Sequence, residues 1–314
     1  MDGATTLTNT HEPQATELTV RKVWDDDNDR DGLRPESLVV TLMANEKVDQ
    51  TAELNAENDW TLTVNVPVLS EGRPITYEWT EPGIPNYTGT QEVDGTVTVF
   101  TNTHAIQTTD LTIRKIWNDN NNQDGLRPQN LVVTLMADDE AVQAVTLNAA
   151  NEWEFTVRDL PVYNEGVQIV YRWAETIANG YVRTNTTVNN RVTTLTNTHV
   201  PETFRLTVVK EWVNDEEPDR PNSVTMRLLS SAGNGRAETR YISLTAANGW
   251  TRTITQLPRY EEGREIQYAW SEVPVSGYQL TNTVTEGIVT TFTNEKGVPL
   301  SGLTENIEVG DCFE

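Results

Sequence analysis

The chain has 314 residues, enough for two or three domains. It carries 47 acidic against 23 basic residues, a formal net charge of -24, which argues against nucleic acid or an anionic membrane as partner, since both are held by Lys and Arg clusters. A single cysteine, Cys312, leaves no internal disulfide to form, and no apolar run approaches the length of a membrane span.

Taken from its start, Met1 to Thr5 shows neither the basic head nor the apolar stretch of a signal peptide. Either the protein stays in the cytoplasm or its export signal lies outside this piece. Thr5-Thr6-Leu7-Thr8-Asn9-Thr10-His11 is identical to Thr193-Thr194-Leu195-Thr196-Asn197-Thr198-His199, so residues 1–12 read as the last strand of a preceding repeat. Three repeats follow, over 16–104, 109–200 and 203–296. All nine tryptophans fall into them at matching places, three each, and are expected in the cores. Linkers of a few residues predict a stiff array of independent domains. Residues 297–314 match nothing in the repeats and read as a tail.

Each repeat opens on a strand with a lysine two residues before a tryptophan: Lys22 and Trp24, Lys115 and Trp117, Lys210 and Trp212. Next comes a loop, Asp31-Gly32-Leu33-Arg34-Pro35 in repeat 1 and Asp124-Gly125-Leu126-Arg127-Pro128 in repeat 2, shortened to Asp219-Arg220-Pro221 in repeat 3. Alternating runs of Val, Thr, Leu, Ile and Trp then predict short strands, among them 38–44, 60–66, 75–81 and 97–102, with turn signals between them and no helical period. Some seven short strands in about 90 residues is the size of a small β-sandwich, so the fold is all-β.

Period-two alternation puts each lysine on its tryptophan's face, looking inward. The later strand Tyr-x-Trp-x-Glu puts Glu81, Glu175 and Glu272 inward as well. The closing strand does the same for Asn102, Asn197 and Asn294. Lysine and glutamate stand 59, 60 and 62 residues apart, glutamate and asparagine 21, 22 and 22. Burial disfavours charge, so an inward lysine tends to a neutral, nucleophilic amine and an inward glutamate to a neutral acid. Beside an asparagine amide such an acid polarises the carbonyl and passes a proton to the leaving ammonia. The chemistry these groups permit is a Lys–Asn isopeptide bond, made once per domain without cofactor, external enzyme or turnover.

The K-x-W strand, the D-G-x-R-P loop, the turn before the second tryptophan (Asn58, Asn151, Asn248), the Y-x-W-x-E strand and the closing T-N-T or T-N-E resemble the Cna protein B-type (CnaB) domains of Gram-positive surface adhesins and pilins. The resemblance covers about 16–296. It implies three tandem reverse-immunoglobulin-like Greek-key β-sandwiches, with an isopeptide between first and last strands and a catalytic glutamate. Carried over, the triads are Lys22–Glu81–Asn102, Lys115–Glu175–Asn197 and Lys210–Glu272–Asn294. Repeat 3 departs most, with Glu211 after its lysine and Glu295 after its asparagine. Asn9 is the matching acceptor of the preceding repeat.

The expected role is a stalk in a monomeric, secreted, wall-anchored surface protein, with signal, anchor and ligand-binding tip outside this piece. A ligand-binding adhesin module and a pilus shaft subunit are the alternatives, although no LPxTG-like motif occurs. A turnover enzyme is disfavoured, because no carboxylate besides the one glutamate recurs inward. In repeat 1, Asp27, Asp29, Asp31 and Gly32 match the start of an EF-hand calcium loop, but Leu38 stands where the bidentate glutamate belongs, which favours a solvated turn. His11, His104 and His199 follow the closing strands singly and suggest no metal site.

Overall fold

The computed structural model describes residues 7–8, 12–215, 217–233 and 236–297; most of the 1–12 segment and the tail beyond 297 lie outside the described residues. Domain 1 contains β1 (Ala15–Asp25), β2 (Ser37–Ala44), β3 (Lys47–Asn55), β4 (Thr61–Pro67), β5 (Leu69–Ser70), β6 (Arg73–Pro74), β7 (Tyr77–Thr80), β8 (Thr88–Asp94) and β9 (Val97–Thr103). One sheet runs β4-β1-β9-β8, the other β3-β2-β7, and β5 with β6 is a small separate hairpin. The same three groupings recur in domains 2 and 3. Among the described residues no helix is long and apolar enough to cross a membrane.

Alternation builds the sandwich. In β2, Leu38, Val40 and Leu42 are buried while the intervening Val39 is half exposed. They meet Val20 of β1, Ala52 and Leu54 of β3, Trp79 of β7 and Phe100 of β9 in one core. Each large aliphatic or aromatic side chain so enclosed contributes about 1.5–3 kcal/mol. Domains 2 and 3 have separate cores of the same kind, centred on Leu135 and Met226. Strand β8 is exposed along its whole length. Its Thr, Gln, Glu and Asp side chains keep this edge polar, which discourages strand addition.

Two features differ from the sequence expectation. Trp60 does not begin a strand: it sits at φ 54° after a short 3-10 turn, Ala56–Asn58, and β4 starts at Thr61. The turn is fixed by Asn55, whose Oδ1 accepts from the amides of Glu57 and Asn58, and by Asn58, whose Oδ1 accepts from the Asn55 amide. Nor are all tryptophans core. Trp79, Trp173 and Trp250 are buried, but the other six are only half-buried. The first tryptophan of each repeat lies edge-on to the second, with centroids 5.0–5.2 Å apart.

The first and last strands of each domain are parallel neighbours. Lys22 pairs with Phe100 and Trp24 with Asn102; Lys115 pairs with Leu195 and Trp117 with Asn197; Lys210 pairs with Phe292 and Trp212 with Asn294. The acceptor asparagine thus stands two residues along from the lysine's partner, on the same face.

Candidate functional site

Three devices position the triad. The turn just described presents the Trp60 carbonyl to the Lys22 amide at 2.8 Å, and Trp153 and Trp250 do the same for Lys115 and Lys210. The tyrosine of Tyr-x-Trp-x-Glu anchors the glutamate's strand through its hydroxyl: Tyr77 donates to Pro67 O at 3.0 Å, Tyr171 and Tyr268 to Pro161 O and Pro258 O at 2.9 Å. The closing strand buries Asn102, Asn197 and Asn294 between residues of the core face.

Lysine and glutamate meet in every domain. Lys22 Nζ lies 3.3 Å from Glu81 Oε1, Lys115 Nζ 3.0 Å from Glu175 Oε2 and Lys210 Nζ 3.3 Å from Glu272 Oε1. All three lysine side chains have no exposed surface. Burial pushes each lysine below its ordinary value, and the facing glutamate only partly offsets it. Burial pushes Glu81 up, again against the pull of its lysine. Lys22 also donates to the carbonyls of Val23 and Phe100, and Lys210 to that of Phe292. Each lysine Nζ lies 4.3–4.9 Å from the centroid of its tryptophan ring.

The asparagines are buried beside this pair. Glu81 and Asn102 interact directly, and a Cβ on Gly89 would come within 3.0 Å of Asn102 Oδ1 and 3.5 Å of Glu81 Oε2. The side-chain oxygens of Asn102, Asn197 and Asn294 are buried without a hydrogen-bond partner. A buried, unsatisfied amide is costly, and polar groups left so are often used in chemistry. The position paired with the acceptor varies: Gly89, Arg183 and Leu280. Arg183 Nε donates to Glu175 Oε1 at 3.0 Å, so domain 2 carries a second cation on its glutamate. Sequence comparison marks domain 3 as the divergent repeat, yet its Lys210–Glu272 distance equals that of domain 1.

A second buried cluster was not evident from the sequence. Asp26 is gripped from two sides by Arg34, Nη2 to Oδ1 at 2.6 Å and Nε to Oδ2 at 3.1 Å, and accepts from the Tyr87 hydroxyl at 2.9 Å. Asp119, Arg127 and Tyr181 repeat this arrangement, as do Asp215, Arg220 and Tyr278. Burial opposes the Asp26 charge, but Arg34, the Asp29 amide and Tyr87 outweigh it and hold the carboxyl below its usual range. The arginine of D-G-x-R-P was the available signal; its aspartate lies eight residues back, but the tyrosine that completes the cluster lies too far along the chain for spacing to show.

The candidate calcium carboxylates are engaged elsewhere. Asp27 pairs with Arg30, Asp29 Oδ1 accepts from the Arg34 amide, and Asp31 Oδ2 accepts from the Gln107 amide at 2.8 Å and lies 2.9 Å from His104 Nε2. Among the described residues no group of three acids, histidines or cysteines is placed to hold a metal. His104 and His199 instead belong to the joints between domains. His199 Nε2 lies 2.9 Å from Asp124 Oδ2, which also accepts from the Glu202 amide. His11 lies outside the described residues.

Comparison with known proteins agrees with this architecture. A curated relative, the collagen adhesin of Staphylococcus aureus, is 34% identical over 281 residues, which cover 87% of this chain and 23% of the relative. The chain therefore spans about a quarter of that relative's length. The crystal structure of two B repeat units of the collagen binding protein of S. aureus superposes with a TM-score of 0.52 at 30% identity, covering 90% of this chain and 76% of that one. The Cna protein B-type domain profile matches residues 18–103, 111–198 and 206–295. The chain thus belongs to the Cna protein B-type domain family, as three tandem copies.

Proposed function

We propose that each domain closes an amide between its lysine and its asparagine, and that the three domains form a stalk within a longer bacterial surface adhesin. The observation that carries this is the lysine, stripped of water and pushed toward its neutral form, held against a glutamate beside a buried asparagine, three times over. The neutral Nζ attacks the asparagine Cγ. The glutamic acid hydrogen-bonds the amide, gives its proton to the departing nitrogen and, as the carboxylate, takes the proton that Nζ sheds. A Cγ–Nζ bond forms, the Cγ–Nδ2 bond breaks, and one ammonia leaves. Enclosure supplies the effective concentration that free side chains lack. The glutamate ends each event as it began, but the domain reacts once, so this is self-modification and not turnover.

The stalk reading follows from which strands are joined. The bond links β1 to β9, the first and last strands, which are parallel and adjacent. A pull on the domain's two ends then passes through the amide. A surface location, with export signal and anchor elsewhere in the longer protein, accords with the collagen adhesin relative. Intact mass of the denatured protein tests the chemistry. The expected deficit against the sequence is one ammonia for each of the three domains. A mass equal to the sequence would overturn the proposal.

A further inference from the structure

Both joints between domains are built alike. The loop glycine of one domain seats on the hairpin glycine of the next: a Cβ on Gly32 would fall 2.5 Å from Gly166 Cα, and one on Gly125 would fall 2.5 Å from Gly263 Cα. The hairpin glycine's amide donates to the loop, Gly166 to Arg30 O and Gly263 to Gln123 O, each at 3.0 Å. The loop aspartate then binds the amide of the linker, Gln107 or Glu202. That linker residue is pinned in turn to the next domain, where Val162 and Arg259 donate to its carbonyl.

Domain 1 carries the receiving half of this joint. Its hairpin has the same left-handed pair, Glu71 at φ 50° and Gly72 at φ 76°, matching Glu165 at 50° and Gly166 at 74°, and Glu262 at 51° and Gly263 at 78°. Val68 donates to the Gln14 carbonyl as Val162 does to Gln107. In sequence, the histidine precedes the first residue of the opening strand by four in all three cases, at 11, 104 and 199. Yet a Cβ on Gly72 would meet nothing within 4 Å. Domain 3 lacks the giving half. Its loop has no glycine, and Lys296, which pairs with Asp219, stands where the histidine would be.

We propose that the β5–β6 hairpin of domain 1 is a docking surface for the D-G-x-R-P loop of another repeat of this family joined ahead of Ala15. The loop glycine packs on Gly72 and the loop aspartate accepts from the Gln14 amide, giving a joint as fixed as the two already present. The surface stands whether or not the Lys–Asn amides form.

The test extends the full chain at its N-terminal side. A second copy of domain 2, which has its own core, is joined through its own His199-Val200-Pro201-Glu202 linker in place of His11 to Gln14. Spin labels at the exposed Glu140 of the added copy and Lys47 of domain 1 report the new joint; the same two positions of the original chain report the existing one. Cys312 is changed to Ser. Double electron–electron resonance is expected to give the two joints the same mean distance and equally narrow distributions. Gly72→Asn, whose side chain tolerates a left-handed backbone, should roughly double the width at the new joint alone. Gly166→Asn should do so at the existing joint alone. A new joint broader than the existing one, or one that Gly72→Asn leaves unchanged, overturns the docking surface.

Discussion

The groups proposed to react are defined by enclosure, and Glu81 shows it most directly. Its carboxyl contacts Lys22 Nζ and interacts with the Asn102 amide, so removing its proton-transfer capacity should leave a folded but open domain. Glu81→Gln keeps the shape, and Lys22 retains the carbonyls of Val23 and Phe100. The expected product loses one ammonia fewer than the parent by intact mass. By analogy with disulfides, leaving the 79 residues between Lys22 and Asn102 unclosed costs domain 1 about 4.5 kcal/mol, and its melting transition should fall by on the order of 20 °C. A Glu81→Gln protein with the parent's full ammonia deficit would remove that glutamate from the mechanism. The triads were legible in the sequence because a strand's period fixes the face of every second residue, and one face recurred three times. The second cation on Glu175 was not, because Arg183 reaches it from a neighbouring strand whose register no local pattern reveals.

At the scale of the element, the loop after β1 is the least predictable part of the domain and one of the most constrained. Its acids suggested a solvated turn or a calcium site. Their partners are instead an arginine eight residues on, a tyrosine 61 residues on and a histidine of the closing end. Pairing across such separations leaves no periodic signal, whereas the alternation of β2 could be read directly. Asp26 is 2% exposed, so Arg34→Leu should cost about 3 kcal/mol in denaturant unfolding, through a buried charge stripped of its main partner. Replacing Asp26 and Arg34 together by apolar residues should recover much of that loss. Because Asp26 titrates below its unfolded value, its contribution is complete above about pH 4 and is lost as pH falls through the lower folded value. Acid unfolding of the parent should therefore be steeper than that of the double variant. Equal stability of Arg34→Leu and the parent would show that the cluster contributes nothing.

At the scale of the molecule, the short linkers predict a stiff array, and the structure adds to each joint a glycine contact and an Asp–His–amide knot that linker length alone does not specify. The hydrogen bond to Asp31, with the Asn86 carbonyl, holds His104 above its ordinary value against some burial; His199 is raised in the same way by Asp124 and Gly180. A raised histidine stabilises fully below its unfolded value of about 6.5, and that stabilisation fades as pH rises through the folded value. Melting of the parent should therefore weaken from mildly acidic toward alkaline pH, and Asp31→Asn with Asp124→Asn should flatten that slope. A slope unchanged in the double variant would place its origin elsewhere. Force gives the most direct view of the whole. With the proposed amide in place, a pull on the ends of domain 1 would run along β1 to Lys22, across to Asn102 and out through Thr103, and residues 23–101 would carry none of it. In a single-molecule stretching experiment the parent should lengthen without an unfolding step from domain 1. Glu81→Gln should instead release the 79 residues between the bonded positions, a step of roughly 260–285 Å at full extension. A step of that size in the parent would mean that the first and last strands are not joined, and the proposed stalk would then rest on packing alone.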